Sequence, residues 1–207
     1  MNRASHSYQP GLGHGLPHDP FNSIVGPRPI GWISTRSAAG ILNLAPYSFF
    51  NAFNYIPPII GFCSIGHKDT VSHIEQTGEF VWNLVTRDLM GKMNQTSAPL
   101  PPDESEFGFA GLTPLNSDLI SAPRVLESPV TFECRKTSIS QLLNKEGEKI
   151  NSWLVLGEVV MVHIASDLLE NGIYNTANAG HILRGGGPAD YFSIGPDQLI
   201  QLGRPTL

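Results

Sequence analysis

From residue 30 onward, apolar, β-branched and aromatic residues gather in short runs. They are IGWIST (30–35), PIIGFCSI (58–65), EFVWNLVT (79–86), VTFECRKTSI (130–139) and WLVLGEVVMVHI (153–164). Runs of this length and composition between turn formers predict strands. Over 130–136 the alternation is clean, with Val130, Phe132 and Cys134 on one face and Thr131, Glu133 and Arg135 on the other. That pattern predicts a strand with one face on the core and one in water. The 153–164 run is nearly all apolar, as expected of a strand buried on both faces or bending through Gly157. Ser37-Ala38-Ala39-Gly40 and the stretch from Leu143 to Gly147 read as hairpin turns. Two segments carry a helical period instead. Lys68 to Thr77 has a capping candidate at Asp69 or Thr70, an apolar pair at Val71 and Ile74, and a stop at Gly78. Thr86 to Gln95 repeats the pattern with Leu89, Met90 and Met93. The elements predict a mainly β chain, a closed or half-closed β-barrel with two or three helices.

Length and composition narrow the picture further. The chain has 207 residues, enough for one domain with a sizeable core. Residues 1–20 carry His, Gly and Pro with few apolar anchors and read as a flexible N-terminal segment, leaving 21–207 as a single domain. His6, His14 and His18 lack helical or finger spacing, so no metal site is expected from them. Thirteen basic against eighteen acidic residues give a formal net charge of −5. Such a balance offers no electrostatic case for nucleic acid or an anionic membrane. No run of about eighteen apolar residues occurs, and the start has no leader-like apolar stretch. Cys63 and Cys134 form no CxxC pair and no disulfide framework, so a reducing, cytoplasmic setting is expected. The segment 97–124 is rich in proline (Pro99, Pro101, Pro102, Pro114, Pro123) and acidic at Asp103, Glu104 and Glu106. Long ordered excursions of this kind serve as lids or interface elements.

Three polar stretches sit where an apolar barrel has no need of them. In Gly66-His67-Lys68-Asp69-Thr70 a strand hands the chain to a helix N-terminus. Free backbone N–H groups and the helix dipole favour an anion there. Lys68 adds a full charge and Thr70 a hydroxyl, which suits a phosphate; the alternative is an ordinary helix start with a solvated lysine. No Walker loop is present. Around Ala45-Pro46, the neutral hydrogen-bonding residues Ser34, Thr35, Asn43, Ser48 and Asn51 mix short donors with apolar surface. A flat heteroaromatic ring such as a flavin is bound by such a mixture; the alternative is the exposed face of a hairpin. The third stretch is Thr96-Ser97-Ala98-Pro99-Leu100, just beyond the second helix.

Other chemistries lack their residues. Ser64 lies in CSIGH, not GxSxG, and neither His67 nor His73 has an obvious aspartate partner for a triad. Cys63 sits in mid-strand and reads as an inert core thiol. His163 reads as a satisfied core or interface histidine, and Glu158 as an isolated, outward-facing carboxylate. No paired carboxylates and no HExxH spacing occur.

The stretch RPIGWISTRSAAGILNLAPYSFFNAFNYIPPIIGFCSIGHKDTVSHIEQTGEFVWNLVT resembles the flavin reductase-like, FMN-binding split-barrel family that includes flavoredoxin. The likeness continues through Ser97-Ala98-Pro99, Gly111-Leu112-Thr113, Ser128-Pro129, Glu133-Cys134 and Leu156-Gly157-Glu158-Val159-Val160 to Arg184-Gly185-Gly186 with Tyr191. The resemblance covers roughly residues 23 to 193 and implies a Greek-key split barrel. It further implies that Ser34, Thr35, Asn43, Ala45, Pro46, Tyr47, Ser48 and Asn51 line the flavin ring. Lys68, Asp69 and Thr70 would hold its phosphate end, and Ser97 and Ala98 would approach from the long loop. The expected activity is hydride transfer from NADH or NADPH to bound FMN and on to an acceptor, a small molecule or a partner oxygenase. The family is typically homodimeric. Two other readings remain at this point: an FMN protein that only relays electrons or carries flavin, and a flavin-free module for another planar ligand. The stretch before Lys68, where His67 follows the strand closely, departs from the longer insertion of many relatives.

Overall fold

The computed structural model describes residues 3–101 and 104–205. Pro102 and Asp103, counted above in the proline-rich acidic stretch, lie outside the described residues, as do Met1, Asn2 and the last two residues. Seven strands form one antiparallel sheet: β1 (Gly31–Arg36), β2 (Leu42–Tyr47), β3 (Phe50–Asn54), β4 (Ile59–Ile65), β5 (Glu79–Asn83), β6 (Val130–Leu143) and β7 (Lys149–Ile164). Their order is β2-β1-β5-β6-β7-β4-β3. The two edge strands, β2 and β3, are thus adjacent in the chain and joined only by Ser48 and Phe49. So short a link requires the sheet to curl until its edges approach, which makes a half-barrel. The Cys63 N–H donates to Phe49 O at 2.8 Å, which carries the β3–β4 ladder back into this link.

The hairpins follow from their turns. β1 and β2 pair from Gly31↔Tyr47 to Arg36↔Leu42. Between them Gly40 takes a φ of 89°, a value that favours glycine. β6 and β7 are joined at Asn144–Glu148, where Asn144 Oδ1 accepts from the Glu146 and Glu148 N–H groups. β7 slips register at Leu156/Gly157, at the glycine expected to bend it. A Cβ at Gly157 would lie 2.4 Å from the Phe80 ring, so the core aromatic needs that glycine.

The barrel interior holds Ile33, Tyr47, Phe62, Phe80, Trp82, Cys134 and Val155. Tyr47 and Phe62 have ring centroids 4.5 Å apart, and Phe50 stacks on Trp82. A second core lies outside β1 and β2, where Trp32, Leu44, Val85, Met93 and Phe107 pack together. Trp32 Nε1 donates to Thr96 Oγ1 at 2.9 Å.

Three helices matter for the site: α1 (Asp69–Thr77), α2 (Met90–Gln95) and α3 (Glu106–Phe109). α1 matches its expectation; Val71 and Ile74 are buried, and Gly78 closes it with φ 74°. Its N-cap is Lys68, not Asp69 or Thr70, and no side chain caps it. The helix expected over 86–95 shortens to Met90–Gln95, because Thr86 bridges to His181 and Arg87 N–H donates to Gly180 O. The half-buried strand expected at 130–136 is covered on both faces as far as Cys134, while Arg135 stays exposed. Thr131 and Glu133 are buried, because the chain from 116 to 125 folds over that side.

Among residues 3–20 none is buried. No helix among the described residues is long and apolar enough to cross a membrane.

Candidate functional site

A cavity of about 350 Å³ opens where β2, the start of α1, the 96–100 segment and α3 converge. β2 contributes Asn43, Ala45, Pro46 and Tyr47; the helix start contributes Lys68, Asp69 and Thr70; the loop after α2 contributes Ser97 and Ala98. These nine are among the thirteen residues that three separate stretches of sequence nominated. Thr96, Pro99 and Leu100 complete the loop wall, and Glu106 enters from α3.

The other four nominated residues do not line this cavity. Ser34 is buried on the opposite face of β1, donating to Pro123 O and accepting from Asn83 Nδ2. Thr35 is buried behind Asn43, with Oγ1 3.1 Å from His73 Nδ1. Ser48 lies in the link between β2 and β3, and its carbonyl accepts from Arg28 Nε. Asn51 is exposed on β3 and turns its Oδ1 back to the Ala52 N–H. His67 points elsewhere too, bonding Glu75 at 2.9 Å and meeting the Trp153 ring edge-on.

Three features of the cavity wall bear on what it binds. First, Ser72 N–H makes the first helical bond of α1, to Lys68 O at 3.0 Å. The N–H groups of Asp69, Thr70 and Val71 therefore have no helical acceptor, and Lys68 makes no ion pair among the described residues. Together they form a seat for an anion. Second, Asn43 Nδ2 donates to Thr70 Oγ1 at 2.8 Å, which ties β2 to the helix start and holds the amide in one orientation. Third, the Tyr47 hydroxyl is buried and makes no hydrogen bond, although the Thr70 and Ser64 hydroxyls lie beside it. Burial pushes its pKa above the ordinary value, so it stays a neutral phenol. An unpaired buried hydroxyl costs roughly 1–3 kcal/mol, and a polar ligand entering the cavity would relieve that cost.

Glu106 is the residue that sequence reasoning missed. Its Oε2 accepts from the Leu44 N–H at 2.9 Å, so β2 fixes the carboxylate at the cavity edge. Burial raises its pKa, with Asp69 adding to the rise and the Leu44 N–H opposing it. It lies on a four-residue helix inside the proline-rich excursion, and no local pattern announces that this turn packs on β2.

A second polar cluster, Asp118, Glu133 and His163, lies within reach of a shared cation. The Glu133 oxygens are already occupied. They accept from the Asp118 and Leu119 N–H groups, each at 2.8 Å, and pair with His163 Nε2 at 2.7 Å. The cluster pins the 116–125 segment to β6, as the reading of His163 as a satisfied histidine requires.

Comparison with known proteins gives a consistent outcome. The family model described as "Flavin reductase like domain" matches residues 26–182. An uncharacterized protein of Halalkalibacterium halodurans is 36% identical over 187 residues, covering 87% of each chain. The crystal structure of nitrilotriacetate monooxygenase component B from Bacillus cereus superposes with a TM-score of 0.85 at 31% identity, over 97% of this chain and 100% of that one. The 2-nitrobenzoate 2-nitroreductase of Pseudomonas fluorescens superposes with a TM-score of 0.81 at 26% identity, over 98% of this chain and 97% of that one.

Proposed function

Because this chain belongs to the flavin reductase-like domain family, we propose that it is an FMN-dependent oxidoreductase that takes hydride from NADH or NADPH and passes electrons to an acceptor. The observation that carries the reading is the convergence of Asn43, Ala45, Pro46, Tyr47, Lys68, Asp69, Thr70, Ser97 and Ala98 on one cavity with an unpaired phenol in its wall. A ribityl phosphate fits the open N–H groups of α1 and the Lys68 ammonium. A ring with carbonyl and nitrogen acceptors fits the Tyr47 hydroxyl, and the apolar surface of Ala45, Pro46 and Ala98 suits its face.

FMN, when bound, supplies the hydride-accepting and electron-relaying chemistry. The protein's part is binding and orientation. Lys68 and the N–H groups of Asp69, Thr70 and Val71 hold the phosphate. The bond from Asn43 to Thr70 keeps that seat in register with β2. Pro46 has no N–H, so the strand edge beneath the ring leaves no donor unpaired. Ser97 and Ala98 close the loop side and exclude water.

The acceptor is a small molecule or a partner oxygenase, by analogy with the component B relative. A homodimer is part of the same reading. Phe53, Tyr55 and Ile56 form an exposed apolar run, with Tyr55 and Ile56 86% and 81% exposed.

The test is an FMN titration followed by rapid mixing of the loaded protein with NADH and then NADPH. Bleaching of the flavin absorbance by either donor is expected. FMN binding without bleaching would leave an electron relay or flavin carrier, and failure to bind FMN would overturn the reading.

A further inference from the structure

On the face of β6 turned away from the barrel interior, a cavity of about 410 Å³ opens between Thr131, the end of β7 and the chain from Arg124 to Pro129. It is remote from the first cavity, and no residue lines both. Across the sheet Pro46 pairs with Trp32, Trp32 with Asn83, Asn83 with Thr131 and Thr131 with His163. Four strand spacings therefore separate Pro46 from His163, about 19 Å along the sheet.

The polar groups of this cavity divide into those already satisfied and those left open. Glu127 accepts from the Thr113 N–H, Ser128 Oγ lies 2.9 Å from the Leu84 and Val130 carbonyl oxygens, and His163 Nε2 pairs with Glu133. Thr131 and Arg124 are the open ones. Thr131 is only 3% exposed, and its Oγ1 makes no hydrogen bond. Were the position only to be filled, valine would give the same branched shape without a stranded hydroxyl. Buried hydroxyls are normally paired, so one in a cavity wall calls for a polar guest. Arg124 donates from Nε and Nη2 to Asn116 O at 3.3 and 3.2 Å, which leaves Nη1 without a partner among the described residues. Its charge is not offset either, since it makes no ion pair among those residues.

We propose that this cavity is a second ligand site, one that binds a carboxylate carried on an apolar ring. A guanidinium and a hydroxyl supply donors for the two oxygens of a carboxylate, and the guanidinium supplies the matching charge. A phosphate dianion would bring twice the charge against a single cation and set it beside the Glu127 carboxylate, an arrangement that discriminates against it. Leu115, Leu126, Pro129, Ile164 and Ala165 give the ring its apolar walls. The volume falls within the range of small-molecule sites. The site stands whether or not the first cavity holds flavin.

Calorimetric titration of the full chain with benzoate, and with benzamide as its neutral counterpart of the same shape, tests the assignment. Benzoate should bind saturably and at least about tenfold more tightly than benzamide. Arg124→Gln should bring the two ligands within about twofold of each other. Thr131→Val should weaken benzoate binding about fivefold while the melting temperature holds or rises, which separates a ligand contact from a contribution to the fold. Absence of saturable benzoate binding, equal affinity for benzamide, or full benzoate affinity in Thr131→Val would each overturn the proposal. Lys68→Ala should leave benzoate binding unchanged. Loss of binding in that variant would place the carboxylate in the first cavity and overturn the proposal as well.

Discussion

Tyr47 and Glu133 show how differently two buried polar side chains can be treated. The Tyr47 hydroxyl carries an unmet hydrogen bond at the cavity wall. Tyr47→Phe deletes it without changing the ring packed on Phe62, so the flavin-free protein should gain about 1 kcal/mol or stay neutral in a thermal melt. FMN affinity should fall roughly five- to tenfold in a titration, since one hydrogen bond of about 1 kcal/mol is lost. A variant that loses stability and keeps its affinity would show that the hydroxyl serves the fold. Glu133 is the opposite case. Burial pushes its carboxyl pKa up, but the Asp118 and Leu119 N–H groups and the His163 ring outweigh burial and hold it below the ordinary value. A depressed folded-state pKa contributes stability that is complete above the ordinary carboxylate value of 4.5 and drains away as pH falls through the folded one. Glu133→Gln should cost about 2–4 kcal/mol in denaturant unfolding at pH 7. It should also flatten the loss of stability on acidification.

At the scale of elements, α1 does two jobs with nine residues. Its apolar pair, Val71 and Ile74, anchors it to the sheet, and its uncapped start presents N–H groups to the cavity. If those groups and Lys68 hold a phosphate, Lys68→Ala should weaken FMN binding about tenfold and riboflavin binding hardly at all, because only FMN carries the charge. Parallel fluorescence titrations of the two ligands measure this, and equal losses would remove the phosphate assignment. The start of α1 was legible in the sequence because glycine, lysine and a helix period occur within a few residues. The length of α2 was not, since residues 86–89 have good helical spacing and lose it to backbone bonds with His181 and Gly180, nearly a hundred residues away. Glu106 was equally hidden, because its partner is the Leu44 N–H on a distant strand.

Across the whole molecule, the curl of the sheet decides which surfaces remain available. Edge strands β2 and β3 follow one another through the Ser48-Phe49 link, while Phe53 near the far end of β3 and Tyr55 and Ile56 in the turn after it remain exposed. On the dimer reading these residues are covered by a second copy. Sedimentation equilibrium should then give twice the chain mass, and Ile56→Asp should shift the protein towards monomer at micromolar concentration. A wild-type monomer would assign the patch to another partner, such as an oxygenase.

Local order along the chain determined much of this protein on its own. Strand runs, two helix sites, the hairpin turns and nine cavity residues could be read from period, turn chemistry and the resemblance of contiguous motifs, because each depends on neighbours a few positions away. Tertiary structure alone decided that Ser34 and Thr35 spend their hydroxyls inside the sheet and that Thr131 and Glu133 are buried under the 116–125 segment. It also decided that Glu106, from a distant turn, closes one edge of the cavity. These outcomes depend on which distant segment folds over a given face. A strand's alternation specifies that it has two faces and carries no information about what will cover the second.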